Sequence, residues 1–445
     1  MRALCPVETL YVAQRSRAVL SCAVRGHLDA VALSRALDAV TAERPTLRAR
    51  ITNHGPGYAL QLLGEDDRPR LVLRTGDTEK TYEEQLNTPL PVGGPLLRAV
   101  LTSEPDESRH LLVLTVDHTI TDGHSAIALH NTLWDRYRAL VEGTEPAPSP
   151  SAPVTDETDP PVWPEPVSAL LPPSEEAETA EYLERRLAET GRHPVELVAY
   201  DAPRQPEAGA AAAENGHRIE VRRLLLDADH TNRLRRLARD TGVSVHGLVS
   251  AAVLTAARKR LDGDGPRFLG CLSPVDLRSR LTPPVAPDVM VPAVTMHLHA
   301  VAVGADTEPL ALAREVAAHL RHSIEQGDHF QDLRIMPQIP RHPALQTGTV
   351  IVTNMGAAPG PRLPDGAQVT DVRLVPAREQ YFPQAGRSPV MACVVSFDGR
   401  LAIEFPHWTA CFTPAFMRAF RDDVRTALLA FATTGDRSAV PAVTS

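Results

Sequence analysis

The sequence predicts a mixed α/β protein of two domains. Three observations lead there. The chain has 445 residues, whereas a single core usually takes about 150. Strand-like and helix-like runs alternate through both halves. A proline-dense stretch from Glu145 to Pro173 separates the halves, and proline at that density forms neither a helix nor a central strand. The expected division is a first α/β domain over 1–145, a linker and crossover over 146–216, and a second α/β domain over 217–445.

In the first domain, Val19 to Gly26 alternates, with Leu20, Cys22 and Val24 on one face, and reads as a strand. Asp29 then caps a helix with Leu33, Leu37 and Val40 at helical spacing, and Pro45 ends it. Leu47–Ile51, Tyr58–Leu63, Leu71–Arg74 and Leu96–Leu101 read as strands. His110–Val116 is an apolar, β-branched strand, and the helix after it buries Leu129, Leu133, Tyr137 and Leu140. Trp134 is expected in the core. Beyond the prolines, Glu175–Glu189 reads as a charged helix and Ala208–Gly216 as a flexible loop.

In the second domain, Arg218–Leu226 reads as a strand and Ala228–Asp240 as an amphipathic helix with a solvated arginine face. Ser244 caps a helix over Val245–Leu261 that is small and apolar all round, hence buried. Phe268–Pro274, Ala293–Val303, Thr349–Asn354 and Val369–Val375 read as strands, and Pro309–Gln326 as a helix. Asp398-Gly399 between Val390–Phe397 and Leu401–Phe405 is a hairpin signal. Pro414–Phe431 is the closing helix.

Composition narrows the function. Apolar residues make up 43% of the chain and aromatics only 4%, so aliphatic side chains must build the cores. The formal net charge is -9. An acidic chain without a Lys/Arg-rich run is a poor match for nucleic acid, which needs a basic surface. Cys5, Cys22, Cys271, Cys393 and Cys411 are odd in number and lack C-x-x-C spacing, so neither a disulfide framework nor a structural zinc site is expected. No stretch approaches the ~18 apolar residues of a membrane helix, and the first residues lack the apolar core of a signal peptide. A cytoplasmic protein is expected.

The informative stretch is Leu111 to Ser125, which ends a strand at Asp117-His118 and starts a helix after Asp122-Gly123. Histidine is the side chain whose ordinary pKa suits it to act as a base near neutral pH, and a strand end holds it more rigidly than a loop tip. Asp122 is placed to order the turn or to fix the imidazole, and Gly123 permits backbone angles that other residues avoid.

His118-Thr-Ile-Thr-Asp122-Gly123 resembles the H-H-x-x-x-D-G signature of the superfamily related to chloramphenicol acetyltransferase. That superfamily holds nonribosomal-peptide condensation domains, BAHD acyltransferases and polyketide-associated acyltransferases. Asp117 stands where condensation domains carry the first histidine. Cys5-Pro-Val-Glu, Gly26-His-Leu-Asp29 and Arg44-Pro-Thr-Leu-Arg48 resemble the opening of the polyketide-associated, phthiocerol dimycocerosyl transferase-like group, which begins with a strand. Val275-Asp-Leu-Arg278-Ser-Arg280-Leu-Thr-Pro-Pro284 resembles the V-D-x-R-x-R-x-x-P-P segment of BAHD enzymes and their bacterial relatives. The D-F-G-W-G segment of BAHD enzymes is absent.

The resemblance implies two chloramphenicol acetyltransferase-like domains with an interdomain active-site tunnel. It implies His118 as general base and an ion pair of Arg278 with Asp122, Arg280 being the substitute, that clamps the domains. A buried carboxylate at a turn needs such a partner in any case, and arginine offers a rigid fork. Val352-Thr353-Asn354-Met-Gly356 resembles an S/T-N-x-G step, which makes Thr353 and Asn354, with Asp117, candidates for oxyanion or substrate contacts. The implied donor is an acyl-CoA or a phosphopantetheinyl thioester on an acyl carrier protein, for which Arg233, Arg235 and Arg236 offer a docking patch. The acceptor is a hydroxyl of a polyketide or other natural product. No bound cofactor and no metal is expected; His297 and His299 share a strand face, but catalytic metal sites use three protein ligands. His124 is either a solvated residue of the first helical turn or a carrier contact, and His246 is read as structural. Two alternatives stand beside ester formation: an amide-forming condensation enzyme, and a non-acylating cyclase or binding protein on the same scaffold.

Overall fold

The computed structural model describes residues 1–145, 162–202, 217–378 and 387–437. Most of the proline-dense stretch and the loop expected at 208–216 lie outside the described residues. The chain divides into two units. The first comprises Met1–Pro172, Asp276–Val294 and Ala358–Tyr381, and the second Pro173–Val275, Thr295–Ala357 and Phe382–Ser445. Two stretches from the C-terminal half therefore belong to the first unit.

The chain opens with β1 (Arg2–Ala3), α1 (Pro6–Gln14), β2 (Ser16–Gly26), α2 (Ala30–Ala42), β3 (Ala49–His54), β4 (Gly57–Leu62), β5 (Leu71–Thr75), α3 (Thr78–Asn87), β6 (Leu97–Ser103), β7 (Arg109–Asp117) and α4 (Gly123–Glu142). The opening differs from the expectation of a plain strand: only two residues pair before Pro6 starts a helix. Proline suits the first helical position, where no N–H is needed. Glu8 then reaches back, accepting from the Cys5 N–H at 2.8 Å and from Arg2. Asp29 caps α2 by accepting from Val31 and Ala32. Leu47 and Arg48, expected to begin a strand, instead belong to a short 3₁₀ turn, Pro45–Arg48, before β3.

The later elements are α5 (Glu176–Arg192), β8 (Val198–Ala199), β9 (Ile219–Leu226), α6 (Ala228–Thr241), α7 (Val245–Arg258), β10 (Arg267–Asp276), β11 (Val294–Val303), α8 (Pro309–Glu325), α9 (Asp328–Arg334), β12 (Val350–Ala357), β13 (Ala367–Arg378), β14 (Arg387–Ser388), β15 (Val390–Phe397), β16 (Arg400–Trp408) and α10 (Pro414–Arg437). Ser244 caps α7 through the Gly247 N–H, and residues 247–254 are buried without a break. Asp398 (φ +48°) and Gly399 (φ +73°) are both left-handed, the pairing that suits a tight hairpin between twisted strands.

The first unit holds a five-stranded sheet in the order β13-β2-β7-β6-β5 and a small sheet β1-β4-β3. All pairs in the larger sheet are antiparallel except β5 with β6. The second holds a six-stranded sheet β11-β10-β12-β15-β16-β9, with β10-β12 and β12-β15 parallel. Both sheets are mixed, as expected. In the first unit β2 is nearly all buried. It pairs with β13 from Gly26↔Ala367 to Ser16↔Arg378 and with β7 from Arg25↔Arg109 to Arg17↔Asp117. One end of this sheet therefore collects the last residues of β7 and β13. Trp134 is fully buried on α4, its indole N–H donating to Nε2 of His130 at 2.9 Å. The five cysteines are buried, and none is in a disulfide. Among the described residues no helix is long and apolar enough to cross a membrane.

Candidate active site

β7 is buried from His110 to Val116, since its residues have sheet neighbours on both sides and apolar layers on both faces. The ladder runs one residue past the strand: the His118 N–H donates to the Ser16 carbonyl at 2.9 Å. The chain then turns. Asp117 accepts the Thr119 N–H on Oδ1 at 2.9 Å, and the Ile120 N–H donates to the Asp117 carbonyl. Aspartate at this position thus makes its own turn, a habit of short carboxylate side chains. Burial raises the Asp117 pKa, against the turn hydrogen bonds and the positive Arg15 and Arg17.

Asp122 ends the turn and starts α4. Its Oδ1 accepts the Ser125 N–H at 2.8 Å, while the Ser125 hydroxyl accepts the Asp122 N–H at 3.0 Å, a reciprocal cap. Oδ2 faces the other way. It accepts from Nε and Nη2 of Arg278 at 3.2 and 2.8 Å and from the Ala293 N–H at 2.9 Å. Arg278 also donates to the carbonyls of Ala286 and Val291, at 2.7 and 2.8 Å. Both side chains are buried, Asp122 at 5% and Arg278 at 4% exposure, and the full set of partners makes that burial tolerable. Since Asp276–Val294 counts with the first unit, the pair ties two distant stretches of one unit, rather than two domains as expected. Arg280 instead donates to the Asp276 carbonyl.

With both Asp122 oxygens occupied, the carboxylate does not orient His118. The imidazole lies flat against Tyr11 of α1, with ring centroids 4.1 Å apart and planes 12° from parallel. Its Nδ1 is buried without a well-formed hydrogen bond. The His118 pKa is pushed down to about 4, first by burial and then by the positive Arg378 at the end of β13; backbone oxygens of His118 and Thr121 and the Asp122 charge oppose this. The ring is therefore neutral at ordinary pH and able to accept a proton. Tyr11 is pushed up to about 12 by burial, so its hydroxyl stays protonated.

Around His118 the first unit brings together Asp117, Asp122, Gly123 and Arg278. Gly123 is the first residue of α4, and His124 beside it is half-buried. Thr353 and Asn354 lie in the second unit on β12, half-buried, and the Asn354 side-chain oxygen accepts the Gly356 N–H at 2.9 Å. His246 hydrogen-bonds Ser273 at 2.9 Å, and burial lowers its pKa to about 4. His297 and His299 both meet His319 of α8. Among the described residues no group of three His, Cys, Asp or Glu side chains could hold a metal ion. Sequence patterning singles out neither Tyr11 nor Arg378. The available signal for Tyr11 is Cys5-Pro6-Val7-Glu8, a helix-start pattern that places the ring one turn further along. Nothing local marks Arg378.

The model of the condensation-domain family matches residues 16–263, more than half of the chain, and the chain belongs to that family. A second model, described as the phthiocerol/phthiodiolone dimycocerosyl transferase C-terminus, matches residues 215–406. A phthiocerol/phthiodiolone dimycocerosyl transferase of Mycobacterium ulcerans is 26% identical over 426 residues, 95% of each chain. The structure of polyketide synthase associated protein 5 from Mycobacterium tuberculosis covers 97% of this chain and 98% of its own, with a TM-score of 0.70 and 22% identity. The starter condensation domain of rhizomide synthetase, solved as a mutant with C8-CoA and Leu-SNAC, has a TM-score of 0.66 and 15% identity over 97% of this chain and 94% of its own.

Proposed function

We propose that the chain is an O-acyltransferase that moves an acyl group from a thioester to the hydroxyl of a polyketide-type acceptor, with His118 as general base. The observation that carries the mechanism is the imidazole itself: neutral, clamped against a ring, and at a strand end whose neighbouring carboxylate is already fully bonded. A proton carried on the buried Nδ1 leaves Nε2 as the acceptor. Nε2 takes the hydroxyl proton as the alkoxide oxygen attacks the thioester carbonyl. The tetrahedral intermediate collapses, the carbon–sulfur bond breaks, and the thiolate recovers the proton from the imidazolium. Atoms balance without a covalent enzyme intermediate or a redox step.

Acyl transfer is the reaction named for the mycobacterial relatives, and their names support a polyketide-derived alcohol as acceptor. A CoA thioester bound by a protein of this fold supports a CoA or carrier-held phosphopantetheine donor. Thr353 and Asn354 are assigned substrate contacts, on sequence resemblance alone. Asp122 and Arg278 are assigned a positioning role: they fix where α4 starts and hence where the turn holds His118. Five buried cysteines outside any disulfide fit the cytoplasm as the compartment.

The test is thiol release from a panel of acyl-CoA and acyl-carrier thioesters, with wild type and His118→Ala in parallel. The expected loss is about 10²- to 10⁴-fold, the range for removing a general base. Equal release by the variant, or none from any donor with wild type, overturns this reading.

A further inference from the structure

We propose that β5 is a dimerisation edge: it pairs antiparallel with β5 of a second copy of this chain, Leu73 facing Leu73 across the twofold axis. The inference rests on the strand edge alone and stands whatever the chemistry at His118.

A sheet edge presents unpaired N–H and C=O groups, and proteins usually guard it with charge, proline, a bulge or a cover. The edges of the two large sheets are β13 and β5, and β11 and β9. β13 carries Pro376 and shifts register between Val369 and Asp371. β9 carries Glu220, Arg222 and Arg223, all engaged in ion pairs. β11 shows a single exposed residue along its length. β5 has no proline, and its register with β6 is unbroken. Every residue after Leu71 is exposed, Val72 at 42% and Leu73 at 56%. Among the described residues no strand pairs with its outer side. Its single charge, Arg74, is engaged by Glu84 of α3 at 2.8 Å.

The backbone decides which groups are on offer. The Gly76 N–H donates to the Ser103 carbonyl of β6 at 3.0 Å. Strand residues alternate, so Val72 and Arg74 also turn their N–H and C=O groups to β6. Leu71, Leu73 and Thr75 turn theirs outward. In an antiparallel pair, facing residues that both point at the partner exchange hydrogen bonds. With Leu73 opposite Leu73, Leu71 faces Thr75, and all three outward residues exchange bonds with the second copy. Sliding by two residues sets Arg74 opposite Arg70 or opposite itself, and like charges directly across are unfavourable. In the unshifted register Arg74 lies across from Val72, whose exposed surface its stem covers. Charge agrees with this direction. Exposed Arg70 precedes the strand and exposed Asp77 follows it, so antiparallel pairing brings Arg70 of one copy beside Asp77 of the other. The edge is thus complementary to itself, which is what a twofold interface requires. A strand of five residues buries less than a standard interface, so the dissociation constant should be on the order of 10⁻⁵–10⁻⁴ M.

The experiment follows the full chain by analytical ultracentrifugation from about 1 µM to about 300 µM, a range that spans this constant. Wild type is expected to pass from monomer to dimer. Leu73→Lys sets two ammonium groups face to face on the axis and abolishes the dimer. Leu73→Pro removes an N–H that points outward, not one that bonds β6, and abolishes it too. Leu73→Lys, at an exposed side chain, keeps the wild-type urea midpoint; where Leu73→Pro does not, the Lys variant decides. Leu73→Cys reads the register. Facing hydrogen-bonded residues have Cα atoms about 5.5 Å apart, inside the disulfide range of about 4.4–6.8 Å. Under mild oxidation Leu73→Cys should cross-link about 10-fold faster than Leu71→Cys, which faces Thr75 instead of its own copy. The native cysteines are buried, and wild type reports their background. A wild type that stays monomeric throughout overturns the proposal and leaves the edge to a partner of another kind. So does a dimer that Leu73→Lys leaves intact, which would lie on another face, and so does equal cross-linking of the two cysteine variants.

Discussion

At the scale of single residues, the turn after β7 separates two tasks: ordering the chain and orienting the His118 ring. Asp122 is four residues from His118, near enough in sequence to serve as its partner, yet both its oxygens are used on structure. Asp122→Asn keeps the shape and the cap but leaves the Arg278 guanidinium buried with its carboxylate charge gone. Removing one member of a buried pair costs about 3–5 kcal/mol, and that loss should appear as a lower urea midpoint with an unchanged slope. A midpoint within experimental error of wild type would mean that the pair is solvated and holds nothing. Arg278→Lys should fare little better, since an ammonium cannot reach Asp122 and the carbonyls of Ala286 and Val291 together.

Histidines set the response to acid. His118, His130 and His246 all have native pKa values near 4, each because burial disfavours the charged ring. His130 is held neutral besides, as the acceptor of the Trp134 N–H. Unfolded, they titrate near 6.5. Between those values the unfolded chain binds more protons than the native one, so stability is complete above about 6.5 and is lost progressively as pH falls toward about 4. Melting temperature should drop over that window. A flat profile would show that these rings are solvated.

At the scale of elements, β2 is the piece on which the first unit depends. It is flanked on both sides, and its last residue, Gly26, lies against the start of β13. Gly26 has φ +104°, and a Cβ there would sit 2.0 Å from the Gly366 carbonyl oxygen. Gly26→Ala must therefore push β13 away or unpair its end. Because Arg378 lies at the far end of β13, opposite Ser16, a shifted strand also moves the charge that helps keep His118 neutral. A loss of roughly 1–3 kcal/mol is expected from the strained backbone and the clash, measured by denaturant unfolding. A fully stable Ala variant would show that β13 is not fixed to β2 at that end. The short turns obey the same logic. Asp398-Gly399 takes the left-handed pair that a two-residue hairpin requires, which is why those two residues alone are enough to announce the hairpin.

At the scale of the whole molecule, the parts legible in the sequence are those whose cause is local. Caps at Asp29 and Ser244, the buried run of α7, the strand-to-turn switch at His118 and the late hairpin all follow from adjacent residues. The Arg278–Asp122 pair is legible too, but through the resemblance of Val275–Pro284 to the V-D-x-R-x-R-x-x-P-P segment; a buried carboxylate's need for a partner agrees with it without naming which arginine. What stays hidden depends on contacts across the chain. Nothing near Arg378 says that β13 leaves the C-terminal half to become an edge strand beside β2, and so nothing says that its charge acts on His118. Tyr11 is hidden because α1 is nine residues long and weakly amphipathic, so no periodicity announces it. Membership of the stretches 276–294 and 358–381 in the first unit is likewise a matter of packing, and blocks of sequence do not reveal it.

The central claim is that a neutral His118 takes the acceptor's proton. Its most direct test is the pH dependence of kcat/KM for thiol release by the wild-type enzyme, with stability checked at each pH by returning the protein to neutral buffer. The account predicts a plateau from neutral pH downward and an acid limb at about 4, where the buried imidazole finally protonates. An acid limb near 6.5, or activity that survives protonation of His118, would contradict it.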